Sequence, residues 1–251
     1  MALKIILMKC KNCDKEIPKG NPKDSSKSKN ESLKYLEETT SDNLDNIYLK
    51  CLLRAIRNIN SKEVYTEHKI EERNFVTYLF SEMRCLLCEE SIELCYIPLM
   101  TIENNKIIHS DENDHNDIDS FKKTAKYFNI NIEGNSFSCQ PDLIIHEEHN
   151  SKNLTTDRQH LIIEAKTKIY SKKRFAKDFF KLNSYISKLN FKNAVFLSIG
   201  KPVEKIEKLI NSYKIDGHYL CNEYKRIYFV ICPDAENFNN DIKIYTLNNL
   251  V

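Results

Sequence analysis

The spacing of apolar residues changes along the chain from a helical to a strand-like pattern. In the segments 42–59 and 67–88, apolar residues recur every three or four positions, which predicts two amphipathic helices. Further on, short apolar runs alternate with amphipathic segments, so strands and helices should interleave. Strands are predicted at 91–100, 137–147, 160–166, 193–199, 226–232 and 241–247, and helices at 172–189 and 202–213. This order predicts an α/β or α+β domain.

Three of the predicted strands are apolar on both faces. The runs "DLII", "HLIIEA" and "AVFLSI" show little alternation of polar and apolar residues. Strands of this kind lie in the middle of a sheet that is covered on both sides. We therefore expect helices on both faces of a central sheet.

Polar segments divide the chain into two parts. "NPKDSSKSKNES" at 21–32 is predicted to be a linker, and "HSDENDHNDIDS" at 109–120 an exposed loop followed by an inserted helix, "SFKKTAKYFNI". Residues 1–60 are interpreted as an N-terminal appendage that contains the first helix. The principal domain is expected to span residues 61–251.

The amino-acid composition indicates where the protein is located more clearly than what it does. Of the 251 residues, 41% are hydrophobic and 29% charged, as in soluble globular proteins. A net charge of +2 neither requires nor excludes nucleic acid, because a local basic patch can bind it on a near-neutral chain. No apolar run is long enough to span a membrane, and "MALKIILM" is too short for a signal-peptide core. We expect a cytoplasmic protein whose nine cysteines are mostly reduced thiols.

Two cysteines near the N-terminus suggest half of a zinc site. Cys10 and Cys13 in "CKNCDK" have two residues between them, and two thiolates at this spacing supply half of a tetrahedral site. Cys85 and Cys88 repeat the spacing, but they lie in a helical pattern, where only a helix end would let both thiolates converge. A zinc knuckle and a flexible arm with two incidental thiols are both open interpretations.

Charged residues stand at the ends of two apolar strands. Pro141 and Asp142 open one of them, and Glu164 and Lys166 close the next. Because side chains alternate along a strand, Glu164 and Lys166 point to the same face. If the two strands pair as a hairpin, Asp142 can lie opposite Glu164. In the alternative interpretation these residues have a purely structural role: Pro141-Asp142 is a turn, and Glu164 and Lys166 form an ion pair on an edge strand.

A divalent cation would explain two carboxylates beside an apolar core. Burying charge is unfavourable unless the group is paired or binds a metal, and two carboxylates alone would repel each other. Mg²⁺ prefers a few carboxylates together with water and phosphate oxygens. A lysine next to it can orient water or offset charge on a phosphate. The set is suited to metal-assisted hydrolysis of a phosphodiester bond.

The order of these residues resembles the signature of the PD-(D/E)xK nuclease superfamily. Pro141-Asp142 and Glu164-x-Lys166 match that signature residue by residue. The resemblance spans about residues 70–232 and implies the restriction-endonuclease-like fold, a central mixed β-sheet flanked by helices. It also implies that Mg²⁺, or Mn²⁺ in its place, is the cofactor.

The superfamily usually adds a glutamate from a helix that precedes the sheet. Glu72 in "IEERNF" is the candidate, because it shares a helical face with Val76, Leu79 and Met83, and Glu71 is the neighbouring alternative. Downstream, "KDFFKLNSYI" resembles an Asp-x-x-Lys-Leu segment that is often found on the helix after the E-x-K strand. The resemblance thus implies that Glu72, Asp142 and Glu164 hold the metal and that Lys166 acts with the attacking water.

A basic cluster opens the predicted helix at 172–189. Positive charges at a helix N-terminus oppose the helix dipole, which costs about 0.3–1 kcal/mol each. Contacts to phosphates by Lys172, Lys173, Arg174 and Lys181 would explain the cluster, and so would a solvated face that only aids solubility.

The sequence therefore predicts a magnesium-dependent endonuclease that acts on DNA in restriction or defence. By analogy with restriction enzymes, it would work as a homodimer. Two other classes of protein compete with this interpretation. One is a catalytically inactive nucleic-acid-binding module of the same fold, and the other is a zinc-ribbon adaptor.

Overall fold

A computed structural model describes residues 36–40, 44, 46–66, 69–94, 98–102, 106–109, 115–147, 158–167, 171–212 and 224–247. The chain divides into two compact units, Met1–Ser32 and Leu33–Val251, and every described residue lies in the second unit. The predicted linker at 21–32 and the pair Cys10 and Cys13 lie outside the described residues.

Eleven strands and six helices make up the described part of the chain. The strands are β1 Leu36–Thr39, β2 Tyr65–Thr66, β3 Lys69–Ile70, β4 Leu99–Ile102, β5 Lys106–His109, β6 Ser136–Cys139, β7 Leu143–His146, β8 Gln159–Lys166, β9 Asn193–Ile199, β10 Ile227–Cys232 and β11 Lys243–Leu247. The helices are α1 Ile47–Asn58, α2 Ser61–Val64, α3 Glu72–Leu94, α4 His115–Tyr127, α5 Lys172–Ser187 and α6 Val203–Ser212.

Seven strands form one mixed sheet in the order β1-β11-β10-β9-β8-β7-β4. The central strands β8, β9 and β10 are parallel, and the outer strands pair antiparallel. Two further ribbons, β2–β3 and β5–β6, lie outside this sheet. The mixed sheet flanked by helices that the sequence predicted is confirmed.

The central strands are buried on both faces because helices cover both. On β8, Ile162 contributes to a core shared with α5, whereas Leu161 and Ile163 contribute to a second core shared with α1 and α3. Every residue of β9 is buried. The apolar runs of these strands therefore reflect two hydrophobic layers, as the sequence indicated.

The first helix belongs to the same compact unit as the sheet. Asn46 caps α1 by accepting hydrogen bonds from the backbone N–H groups of Tyr48 and Leu49, at 2.8 and 3.2 Å. The apolar face of α1 packs against α3 and β8, and β1 pairs with β11. The boundary of this unit before Leu33 thus differs from the predicted one at residue 60. The reason is that β1 and α1 bury apolar surface that would otherwise stay exposed.

Three predicted segments have different bounds in the structure. The strand expected at 91–100 is a helix as far as Leu94, and β4 begins at Leu99. The strand expected at 137–147 is split at Pro141, because proline has no donor for the ladder; β6 pairs with β5 and β7 joins the main sheet. The loop expected at 109–120 is helical from His115. None of the helices in the described ranges is long and apolar enough to cross a membrane.

Candidate active site

The site lies where β8 ends and β7 begins. These strands pair antiparallel with Leu143 opposite Ile163, so Asp142 reaches the level of Glu164. The Asp142 N–H donates to the carbonyl of Ile163 at 3.1 Å, and its Oδ2 accepts from the N–H of Ala165 at 2.6 Å. Proline is tolerated at 141 because it precedes the strand. The two strands thus pair antiparallel, which is the arrangement under which the sequence placed Asp142 opposite Glu164.

Lys166 brings a third element into the site. Its Nζ donates to Glu72 Oε1 at 3.1 Å and lies 3.5 Å from Asp142 Oδ2. Glu72 stands in the first turn of α3, on the opposite side of the sheet from α5. The neighbouring Glu71 pairs instead with Lys69 at 3.2 Å, with both side chains largely exposed. The geometry therefore favours Glu72 over Glu71 as the third acidic residue.

Carboxylates determine the protonation of Lys166. Burial alone would lower the pKa of this lysine, but nearby negative charges outweigh burial and raise the pKa well above its usual value. Those charges belong to Asp178, Asp142, Glu164 and Glu72. Lys166 is consequently an ammonium at neutral pH and can donate hydrogen bonds.

Glu164 is the most buried acid of the site, with 1% of its surface exposed. Its Oε2 accepts a hydrogen bond from Lys181 Nζ at 2.5 Å, and its Oε1 accepts one from the Tyr185 hydroxyl at 2.7 Å. Burial raises the pKa of Glu164 to about 7; Lys181 opposes this rise, and the charge of Asp142 adds to it. Glu164 therefore takes up a proton far more readily than an ordinary glutamate.

Lys181 is not at the surface, which corrects its predicted role as a phosphate contact. Its side chain is 9% exposed, and besides Glu164 its ammonium contacts Asp178 at 3.4 Å. Burial lowers the pKa of Lys181, but Glu164 and Asp178 outweigh burial and raise it. In this arrangement Lys181 serves as the internal counter-ion of Glu164 and Asp178.

The sequence argument did not identify Asp178 and Tyr185 as residues of the site. Asp178, Lys181 and Tyr185 lie three and four positions apart on α5, so they share one face. All three are buried and carry polar groups on a helix whose buried face is otherwise mostly apolar. The spacing of three and four positions between these polar residues was the signal in the sequence that could have identified them. It was hidden by the charged residues at the start of the same helix.

The other predicted cations have different environments. Lys172 Nζ donates to the carbonyl of Ser212 at 2.6 Å, so it caps the end of α6. Lys173 and Arg174 are exposed. Arg174 is four residues before Asp178, which places it one turn further out on the face that carries the buried acids. Of the predicted phosphate contacts, Arg174 is thus the one aligned with the site.

The residues of the site have the charge and the oxygen ligands that a hard divalent cation prefers, but they are not arranged in a coordination geometry. Four carboxylates and two ammonium groups leave an excess of negative charge when all are ionised, and carboxylate oxygens suit Mg²⁺. Among the described residues, however, no group of three or more His, Cys, Asp or Glu side chains is arranged to hold a metal ion. Lys166 stands between Glu72 and Asp142, and Lys181 and Tyr185 engage both oxygens of Glu164. Metal binding would require Lys166 to swing aside.

Comparison with known proteins adds no relative. No family model matches the chain, and no curated protein or solved structure matches it significantly. Functional inference therefore rests on the geometry of this chain alone.

Proposed function

We propose that this protein is a metal-dependent nuclease that hydrolyses phosphodiester bonds in DNA, as an endonuclease of restriction or defence type. One observation carries the proposal. Glu72, Asp142, Glu164 and Lys166 come from three different elements, yet their charged groups meet at one end of the sheet. Glu72 lies 94 residues from Lys166 in the chain, yet its Oε1 accepts a hydrogen bond from Lys166 Nζ at 3.1 Å.

Asp142 and Glu164 would hold Mg²⁺, with Glu72 completing the ligand set and Mn²⁺ able to substitute. The metal would polarise the phosphate and lower the pKa of a bound water. Asp142 is fixed by its bond to the Ala165 N–H, and Glu164 by Lys181 and Tyr185. Groups fixed in this way present their oxygens without a large loss of conformational freedom.

Lys166 would act as a cation and not as the general base. Its raised pKa keeps it protonated at neutral pH, so it can donate a hydrogen bond to a phosphate oxygen or orient the attacking water. Charge that develops on the phosphate in the transition state would be stabilised by this ammonium. Loss of Lys166 should therefore affect turnover more than binding.

A homodimer is part of the proposal, because one site per chain cleaves one strand and two chains are needed to cut both. We also propose a reducing compartment such as the cytoplasm. Cys139 and Cys232 are buried thiols outside any disulfide. Cys10 and Cys13 could add a structural zinc.

The second candidate is a nucleic-acid-binding module without hydrolytic activity. It is favoured by the position of Lys166, whose ammonium neutralises Glu72 and Asp142 where a metal would otherwise bind. Such an ion-paired site would be stable in the absence of metal. The two candidates differ in whether Mg²⁺ binds to the site.

The decisive experiment is incubation of the protein with plasmid, single-stranded DNA and RNA in Mg²⁺, Mn²⁺ or EDTA. We expect cleavage of DNA with either metal and none in EDTA. Asp142→Asn and Glu72→Gln should abolish cleavage, whereas Glu71→Gln, one residue away on the exposed Lys69 pair, should retain it. Equal activity of Glu71→Gln and Glu72→Gln would refute the site. Binding without cleavage in every metal would favour the inactive module.

A further inference from the structure

Cations around the site fall into two groups. Lys166 and Lys181 are each held by two carboxylates. Lys106 on β5 and Lys177 and Arg174 on α5 differ from them, since no carboxylate within the described ranges pairs with any of these three side chains. The second group is therefore open to an external anion.

The ribbon β5–β6 brings Lys106 toward the buried acid. Lys106 pairs across the ribbon with Cys139, and side chains at paired positions lie on the same face. Cys139 is buried and interacts with the hydroxyl of Tyr185, which donates to Glu164. Two residues, Cys139 and Tyr185, thus connect Lys106 to Glu164.

Lys106 is half-buried, and within the described ranges no carboxylate compensates its charge. Burial lowers the pKa of its ammonium, since part of its hydration is lost. A bound anion would restore the lost stabilisation of the charge. A lysine placed in this way gains more from a phosphate than a fully hydrated surface lysine does.

Lys177 lies between the ribbon and the acids. Its Nζ is 5.9 Å from the centre of the Phe137 ring on β6, a cation–π contact that positions the ammonium without neutralising it. On α5, Lys177 directly precedes Asp178, and it lies one turn before Lys181. Arg174 continues the same side of the helix almost one turn further out.

We propose that Lys106 and Lys177, together with Arg174, form a cationic strip along the seam between the β5–β6 ribbon and α5, and that this strip binds the phosphate backbone of nucleic acid and leads it to Asp142 and Glu164. This inference rests on the proposed function. It also gives the inserted segment between β4 and β7 a role, because that segment supplies the ribbon. Lys172 and Lys181, which the sequence suggested, are engaged elsewhere.

The strip can be tested by binding in EDTA, which prevents cleavage. Fluorescence anisotropy with labelled duplex DNA would be measured for wild type, Lys106→Met and Lys177→Met over a range of salt concentrations. Each lost phosphate contact should reduce the slope of log K against log salt by about 0.9, equivalent to about eightfold weaker binding at 0.1 M salt. Lys208→Met, at an exposed lysine of α6, is the matched control and should bind like wild type.

The outcomes separate the strip from the proposed function. Thermal melting checks folding, and Lys106→Met should melt no lower than wild type, since it removes an uncompensated half-buried charge. If the wild-type protein binds or cleaves DNA but both variants keep the wild-type salt dependence of binding, the strip is refuted. The nuclease proposal then still stands. A wild-type protein that neither binds nor cleaves any nucleic acid would overturn both. Equal losses in the Lys208→Met control would reduce the strip to a general effect of net charge.

Discussion

Replacing Lys181 by methionine tests the internal network that holds Glu164. Methionine keeps much of the apolar volume but removes the ammonium, so it leaves a carboxylate that is 1% exposed without its charged partner. Removing one partner of a buried ion pair costs about 3–5 kcal/mol. For a unit of this size, a loss of 3 kcal/mol corresponds to a decrease of roughly 6–12 °C in the melting temperature.

The loss of stability in Lys181→Met should depend on pH. Glu164 already has a pKa raised to about 7 in the folded protein, above its ordinary value, and loss of Lys181 raises it further. When folding raises the pKa of a carboxyl, the group makes its full contribution to stability at low pH, where it is protonated in both the folded and the unfolded protein. That stability is lost as the pH rises from the unfolded pKa through the folded pKa. The variant should therefore lose less stability at pH 5, where Glu164 is protonated and only Asp178 lacks its partner, than at pH 8, where both carboxylates lack theirs.

Urea denaturation followed by circular dichroism at pH 5 and pH 8 would measure both effects. The double variant Glu164→Gln/Lys181→Met removes both charges and should recover much of the lost stability at pH 8. Lys177→Met, one turn earlier on α5, is the control for loss of a lysine without a carboxylate partner. A Lys181→Met protein that loses less than about 1 kcal/mol at pH 8, or the same amount at both pH values, would refute the buried pair.

Four further predictions concern the metal, the site lysine, a positioning hydroxyl and the cysteines. Mg²⁺ must displace the proton of Glu164, so its affinity by calorimetry should rise with pH up to about 7 and then level off; a flat profile would exclude Glu164 as a ligand. Lys166→Ala should keep binding of DNA and Mg²⁺ but lose cleavage by orders of magnitude in single-turnover assays, and normal cleavage would contradict its role. Thr167 donates to the carbonyl of Ile70 at 3.0 Å, just before Glu72, so Thr167→Val should weaken Mg²⁺ binding. Thr77→Val, which removes a hydroxyl bonded within α3, should leave that affinity unchanged, and equal effects would argue against positioning. If Cys10 and Cys13 form half of a zinc site, purified protein should carry about one zinc per chain, and Cys10→Ser should release it; metal analysis that finds no zinc would rule the knuckle out.

The hydrophobic pattern determined most of the fold. Apolar runs at β8 and β9 required cover on both faces, and the structure places α1 and α3 on one side and α5 on the other. Local pattern failed where an apolar run fits a helix and a strand equally well, as at 91–100. There α3 continues as far as Leu94, and β4 begins only at Leu99.

The sequence indicated part of the candidate site, but neither all of its residues nor how they are paired. Asp142, Glu164 and Lys166 follow from charged residues at the ends of apolar strands. That Lys166 contacts Glu72 and that Lys181 holds Glu164 depends on distances between α3, β8 and α5. These distances are set by packing of the two layers and leave no local trace in the sequence.

The tertiary structure alone decided which lysines are inside and which face solvent. Lys177 and Lys181 lie one turn apart in the same basic segment, yet the first is exposed beside Phe137 and the second is buried between Glu164 and Asp178. Sequence gives both the same charge and nearly the same helical face. The ammonium of Lys181 is removed from water and is paired with two carboxylates, whereas that of Lys177 stays exposed to water.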